Sequence, residues 1–534
     1  MKKNPVWRAL RVTAFVLLAA SGCDNAPIDD GPDPDPATDA RGSVRGTVTD
    51  NNGVAVPNVE VVLTGNGFGL PTLTTNSGAD GAYTFADVPI GAYTLKVTPP
   101  AWFTLNAAGT ASVTVAKGTQ TNAAALVLNR FTPQPGIPVT GVAVPGMWWY
   151  EKVIPDLMQQ YSIPGGAVAV MRDGKLIYAR GFGYADVENK TPVQPDALFR
   201  LASVSKPITA AAIMKLVEEG KLKLDDYVAP LIAHLTPAPG ATVDPRWYQI
   251  TIRHLLNHTG GWDRNKPNGG FDPIDRPITA ANAVGAPVPA SPETLVRYMK
   301  GMPLDFDPGA KLAYSNLGYI ILGRVIERVS GMPYEEYVRT RVLAPVGATR
   351  TRQGKSRMSE ALAGEVKYYR PGMGVNAPLV PSVFPGGGMV PLNYGGYHLE
   401  GGDASGAWVS STVDLLRFLG GVDGRADRPD ILSAGTVAEM TKPGPLYPCA
   451  TAPCYYGAGW WVHLTQGDAT WQHGGDLPSS TSLLVRSTNK ISWVALFNSN
   501  QAAAGFDAAL EAALRNALPQ VTSFPTHDLF PAFQ

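Results

Sequence analysis

At 534 residues the chain exceeds one ordinary hydrophobic core, so two or three domains are expected. Forty-four basic against forty-four acidic side chains leave a formal charge of zero, which lacks the electrostatic footprint of a nucleic-acid or acidic-polymer binder. Hydrophobic residues at 45% suffice for packed interiors, while 57 Gly and 47 Pro imply many turns and long loops, and no repeat period points to a solenoid.

The chain opens on a basic head, Lys2, Lys3, Arg8 and Arg11, followed at 12–20 by an apolar run too short to span a bilayer. Ala20-Ser21-Gly22-Cys23 comes next, and together these features make an export signal. The small residues ending in Cys resemble the lipobox of bacterial lipoproteins, although Ala20 stands where that pattern more often has Leu. The resemblance implies a signal peptide at 1–22 cleaved before Cys23, with lipid on the Cys23 thiol and two or three acyl chains as a stable anchor. It places the protein in the bacterial cell envelope, anchored to a membrane. Residues 23–41, with Gly31-Pro32-Asp33-Pro34-Asp35-Pro36, read as a disordered, extended tether.

From 42 to 129 the pattern is one of short strands, at 44–48, 59–63, 83–85, 93–97, 111–115 and 123–128, separated by turn clusters such as Asp50-Asn51-Asn52-Gly53. A β-sandwich of about seven strands follows. Gly46-Thr47-Val48, Gly53-Val54-Ala55-Val56-Pro57-Asn58-Val59, Gly81-Ala82-Tyr83-Thr84-Phe85 and Gly91-Ala92-Tyr93-Thr94-Leu95 resemble the carboxypeptidase regulatory-like domain. That resemblance implies a spacer or docking module, in contact with envelope or glycan, that supplies no catalytic residue. A Pro-rich linker at 130–145 leads onward.

The large domain is expected over 146–520, with a tail at 521–534. A helix is expected at 148–161, then strands at 167–171 and 176–183 joined by the hairpin signal Arg172-Asp173-Gly174. Ile208, Ala211, Ala212, Met214 and Leu216 fall at helical spacing within 207–222. Long Gly/Pro-rich loops run to about 289 and from 371 to 406, and loops of this length usually form functional rims or lids. A second hairpin at 482–485 and 492–498 and a helix at 502–518 close the domain. Strands at both ends with helices between them predict an α+β fold, one sheet built from distant segments and faced by helices.

Ser203-Val204-Ser205-Lys206 stands at the head of the 207–222 helix, so Lys206 follows Ser203 by one turn on the same face. An ammonium favours alkoxide formation, and free N–H groups at a helix start can bind an oxyanion. The pattern is cheap by itself, since Ser487-Thr488-Asn489-Lys490 repeats it in a hairpin turn. Tyr314-Ser315-Asn316 and His473-Gly474-Gly475 follow in order. The three motifs resemble the serine β-lactamase and penicillin-binding-protein superfamily, closest to the branch holding class C β-lactamases, D-specific peptidases and β-lactamase-like esterases. Leu255-Leu256-Asn257-His258-Thr259-Gly260, Ser405-Gly406 and Tyr456-Gly457-Ala458-Gly459-Trp460 extend the likeness. The superfamily's usual third motif is Lys-Thr-Gly, so His473 is a departure.

The resemblance implies that Ser203 is the nucleophile and forms an acyl-enzyme, and that Lys206 and Tyr314 share the base role, with the choice between them open. Asn316 would orient the substrate amide or the lysine. His473 and Gly475 would lie along a strand edge facing the substrate, and the backbone N–H groups of Ser203 and Asp476 would form the oxyanion hole. His258 reads as structural. No cofactor is expected and no metal: His254, His398 and His463 lack ligand spacing and no His-Glu-x-x-His occurs. Gly-x-Ser-x-Gly, the mark of the α/β-hydrolase elbow, is absent as well. Cys449 and Cys454 are expected to form a small disulfide, contributing roughly 2 kcal/mol on the chain-entropy estimate.

These readings predict an exported serine hydrolase acting on a small-molecule ester, a D-amino-acid peptide or a β-lactam. A mostly neutral His473 offers a drug carboxylate less than lysine does, which favours esterase or peptidase over lactamase. The alternative is a catalytically silent surface binding protein that keeps the fold. Four intact motif residues, Ser203, Lys206, Tyr314 and Asn316, argue against it.

Overall fold

The computed structural model describes residues 40–267, 269–370, 378–444, 446–447, 454–465, 468–500, 505–521 and 524–533. The expected signal peptide, Cys23, nearly all of the tether and Cys449 lie outside them. The described residues fall into two compact units, one up to 99 with 104–129, the other 100–103 with 130 onward.

In the small unit, alternating apolar residues build two facing sheets. Val44, Val48, Tyr83, Phe85, Leu126 and Leu128 are buried from one, and Val61, Leu63, Tyr93, Leu95, Val113 and Val115 from the other. The first sheet runs Ala82–Pro89, Arg41–Asp50, Leu126–Arg130, Phe103–Leu105, with Gln120–Asn122 also beside Arg41–Asp50. The second runs Thr72–Asn76, Glu60–Gly65, Gly91–Val97, Thr110–Val115. Nine strands therefore replace the expected seven or so. Thr72–Asn76 and Gln120–Asn122 are short and polar, without the alternation that marks a strand in sequence. The first strand also starts at Arg41, inside the span assigned to the tether.

The large unit is organised by an antiparallel sheet in the order Val139–Thr140, Lys175–Asp186, Gly165–Arg172, Ile491–Phe497, Ser480–Arg486, Asp468–Leu477, Trp461–Thr465, Cys454–Tyr456, Leu446–Tyr447. Its middle joins the two ends of the domain: Gly166 stands opposite Phe497 and Arg172 opposite Ile491. Gly165–Arg172 and Ile491–Phe497 are buried along almost their whole length because helices cover both faces. On one face Tyr150, Ile154 and Met158 of helix Trp148–Gln160 pack with Leu510 and Leu514 of helix Phe506–Ala517 over Val168, Val170 and Trp493. The other face carries the larger core, in which helix Ser205–Glu218 packs with helix Asn316–Ser330. The α+β architecture, a helix-flanked antiparallel sheet with a helical region, preceded by a small β-sandwich, is the one expected.

The long loops hold more structure than their composition suggests. Residues 261–289 contain the turn Pro273–Asp275 and helix Pro277–Val284, which starts on a proline and stops at Gly285 with φ 70°. Residues 378–406 contain a small hairpin, Leu379–Pro381 with Met389–Pro391, and helix Asp403–Gly406. Cys454 is disulfide-bonded. Ser487 is buried, and Lys490 is exposed and pairs with Asp173 at 3.5 Å.

Candidate active site

Strand Phe199–Arg200 ends in a tight turn, Ala202–Val204, before helix Ser205–Glu218 begins. Ser203 therefore sits in a 3-10 turn, one step outside the α-helix. Ala202 takes φ 49°, a left-handed backbone that a non-glycine residue adopts at some cost and that is held here by tight packing. Leu201, Ala202, Val204 and Ser205 are buried, whereas Ser203 is partly exposed and lines the cavity beside Ala202. That cavity has a volume of ≈ 880 Å³.

Lys206, one turn on, has no exposed surface. Its Nζ donates to Asn316 Oδ1 at 2.7 Å and to the Ser405 carbonyl at 2.7 Å, and stands 3.1 Å from Ser203 Oγ. Burial pushes its proton affinity well below the usual ammonium range; the Asp272 carboxylate opposes this and the Arg264 guanidinium adds to it. A neutral amine has two N–H donors and one lone pair. In that form, with Asn316 and Ser405 taking the donors, the lone pair would be left for the Ser203 hydroxyl, an arrangement that suits a general base.

Tyr314 is hydrogen-bonded to Ser203, and its phenol is pushed above its ordinary range by desolvation, which the Ser203 bond and Arg264 only partly offset. The ring is stacked on His258, with centroids 4.2 Å apart, and has Lys206 Nζ 4.8 Å and the Arg264 guanidinium 5.0 Å from its centre. Burial thus favours the uncharged form of both groups, the amine of Lys206 and the phenol of Tyr314. His258 supports the tyrosine from behind: its Nδ1 accepts from the Ser315 backbone N–H at 3.2 Å, and it takes φ 57° to do so.

Asn316 opens helix Asn316–Ser330 and is turned toward the lysine, with Nδ2 donating to Asp272 Oδ2 at 2.7 Å. Of its two expected tasks, orienting the lysine is the one its bonds perform. His473 lies on strand Asp468–Leu477, whose pairing with Trp461–Thr465 stops at Gln472. From His473 to Leu477 the described pairing is with Ser480–Arg486 alone, and the other edge lines the cavity. His473 is among the residues lining the cavity, and its ring is bonded within the protein. Its Nε2 pairs with the Tyr456 hydroxyl at 2.9 Å and its Nδ1 with the Gly474 carbonyl at 2.6 Å, so neither nitrogen is left to bind a ligand. Burial, with the Lys206 charge adding to it, holds its pKa down at about 3. Gly475 acts through its missing side chain: a Cβ there would lie 2.3 Å from the Leu201 carbonyl oxygen. That close approach brings the backbone leading into Asp476 beside the Ser203 N–H, where the expected oxyanion pair requires it. The Asp476 carboxylate itself accepts from Asn500 Nδ2 at 2.8 Å.

Asp272 and Arg264 carry no motif and were not among the expected residues, while Tyr456 stood in a flanking motif without an expected role. Asp272 and Arg264 belong to the 261–289 loop, whose length was the signal that it borders the site.

Comparisons with known proteins agree with this layout. The carboxypeptidase regulatory-like family model matches residues 43–129. A penicillin-binding protein of Bacillus subtilis is 29% identical over 334 residues, 60% of this chain and 65% of its own. The esterase EstB of Burkholderia gladioli is 34% identical over 197 residues, 37% of this chain and 49% of its own. The chain thus spans less than two thirds of the length of either relative. The D-amino acid amidase of Ochrobactrum anthropi, solved with L-phenylalanine amide, superposes with TM-score 0.50 at 25% identity over 69% of this chain and 97% of that one. The family model described as Beta-lactamase matches residues 150–517, the greater part of the chain, and the protein belongs to that family of serine hydrolases.

Proposed function

We propose that the protein is an exported serine hydrolase that cleaves esters or amides through an acyl-Ser203 intermediate. The observation that carries this reading is Lys206 Nζ standing 3.1 Å from Ser203 Oγ while bonded to Asn316 Oδ1 and the Ser405 carbonyl. Ser203 Oγ attacks the substrate carbonyl as Lys206 takes its proton, and the developing oxyanion lies against the N–H groups of Ser203 and Asp476. The proton then passes through the Tyr314 hydroxyl to the leaving group. Water reverses the sequence and releases the acid.

The cavity lining bears on the substrate. Leu312, Leu392, Leu399, Tyr397 and Trp461 give it apolar walls. Five aspartates line it against one basic side chain among the described residues, Arg264, which is paired with Asp272 at 3.2 Å. With His473 neutral, a carboxylate-bearing β-lactam meets no unpaired cation, which favours a neutral or amine-bearing ester or amide. The esterase and amidase relatives support the same class.

Export rests on residues 1–23, and the reading includes a lipid anchor on Cys23 at the bacterial envelope with the β-sandwich as spacer. Mass spectrometry of the mature N-terminus tests it, and an unmodified peptide starting elsewhere would dismiss it. Turnover is tested by a fluorophosphonate probe with mass analysis of Ser203, alongside Ser203→Ala on esters, D-amino-acid amides and β-lactams. No adduct, and a variant that behaves like wild type, would favour a binding protein.

A further inference from the structure

Lys206 is faced by Tyr314 and Asn316, by Tyr319 from helix Asn316–Ser330, by His258 and His473, and by the Ser405 carbonyl. Asn316 links it to one further pair of charges. A lysine amine next to an amide bonds its oxygen, and a carboxylate can only accept, so the partners fix which end of the Asn316 amide is which. Oδ1 faces Lys206 and Nδ2 faces Asp272. Asp272 is buried, and its position is set locally, since Oδ1 also accepts from the Ile274 N–H at 3.4 Å at the start of Pro273–Asp275. Arg264 closes the chain with NH1 on Asp272 Oδ2 at 3.2 Å.

We propose that Asp272, held by Arg264, is a positioning residue for acyl transfer: it locks the Asn316 amide so that its oxygen receives Lys206 and aims the lysine lone pair at Ser203. Without this carboxylate the amide can invert and present its NH2 group to the lysine, which then loses an acceptor and its aim. The same pair sets the charge around the base, with opposite signs. The Asp272 charge favours the protonated site and the Arg264 charge disfavours it. The sign is the same whether the proton is lost from Lys206 or from Tyr314, because both forms have one proton fewer beside the same two charges.

The inference rests on Ser203 being the nucleophile. The test uses the full-length protein and measures the rate of Ser203 labelling by a fluorophosphonate, with hydrolysis of a neutral p-nitrophenyl ester, from about pH 5 to about pH 10. Asp272→Asn should move the ascending limb of the labelling rate to lower pH by about half a unit or more, and Arg264→Gln should move it to higher pH. The plateau kcat of Asp272→Asn should fall about tenfold while KM for the neutral ester stays within about twofold. If Asp272→Asn does not fold, the upward shift of Arg264→Gln, at a partly exposed side chain, still decides the sign. Limbs that stay in place, or move in the same direction in both variants, would overturn the proposal while wild-type Ser203 still labels. No labelling of wild-type Ser203 at any pH would overturn the acyl-enzyme reading, and this inference with it.

Discussion

A Cβ on Gly475 would stand 2.9 Å from the backbone nitrogen of Ser203, closer than side-chain carbons normally approach any atom. The same carbon would lie 2.4 Å from Ser482 Oγ, so it has no direction in which to relax. Gly475→Ala is therefore expected to push the strand from the nucleophile turn. Overpacking of this kind costs about 1–3 kcal/mol, and misplacing the oxyanion donors by about 1 Å costs about 100-fold in rate. Ester turnover and thermal denaturation read the two effects. Full activity in Gly475→Ala would show that the strand does not form the oxyanion site.

Lys206→Met keeps most of the side-chain volume but removes the amine. Loss of a general base is expected to lower kcat by about 10²–10⁴. Asn316 Oδ1 and the Ser405 carbonyl also lose a buried donor, at about 1–3 kcal/mol each when unsatisfied. Chemical denaturation should therefore register a clear loss of stability beside the loss of turnover. A variant within tenfold of wild type would remove Lys206 from the base role.

Tyr314→Phe separates chemistry from packing. The ring contact with His258 at 4.2 Å survives the change and the hydroxyl does not. Turnover is expected to fall by about 10²–10⁴, with the melting temperature nearly unchanged. A large drop in melting temperature with activity preserved would reverse the assignment.

His473 is buried neutral, with a pKa of about 3 in the folded chain. An unfolded histidine titrates near 6.5, so between about pH 6.5 and about pH 3 the unfolded state binds one more proton here. The site's contribution to stability is full above about pH 6.5 and is lost as pH falls through that window, with a slope of about 1.4 kcal/mol per pH unit. His473→Gln should flatten the stability profile by about one proton over that range. Denaturation midpoints measured at steps across the window check it, and an unchanged slope would show that His473 does not carry the effect.

Substrate charge gives a further expectation. Of two esters equal in size, the one carrying a free carboxylate in its acyl part should have a kcat/KM lower by about tenfold or more than its neutral counterpart. Added salt should narrow the gap, since part of it is the field of the lining aspartates. Preference for the acid would point to a cation that the lining does not supply.

That Ser203, Lys206, Tyr314 and Asn316 meet in one place was legible in the sequence. Their spacings on helix starts are local, and the order of three motifs in one chain is specific where each alone is not. The two hairpins that meet in the sheet's middle were legible for the same reason, since apolar runs flank marked turns. Helix Pro277–Val284 escaped because a Gly/Pro-dense stretch reads as loop although it carries its own start and stop residues. His473 was legible in part. Its position on the strand edge was readable, but its bonds to Tyr456 and Gly474 were not, because Tyr456 comes from a different strand.

Residue type and spacing by themselves determined the family, the α+β fold and which motif side chains meet at the cavity, because those depend on segments a few residues long. Tertiary structure alone decided what each group does. It buried Lys206 and gave two of its bonding directions to Asn316 and Ser405, and it committed both nitrogens of His473. It also brought Asp272 and Arg264 from the long 261–289 loop to the far side of Asn316. Proton affinity and aim are set by whatever surrounds a side chain in space, and those neighbours arrive from distant parts of the chain.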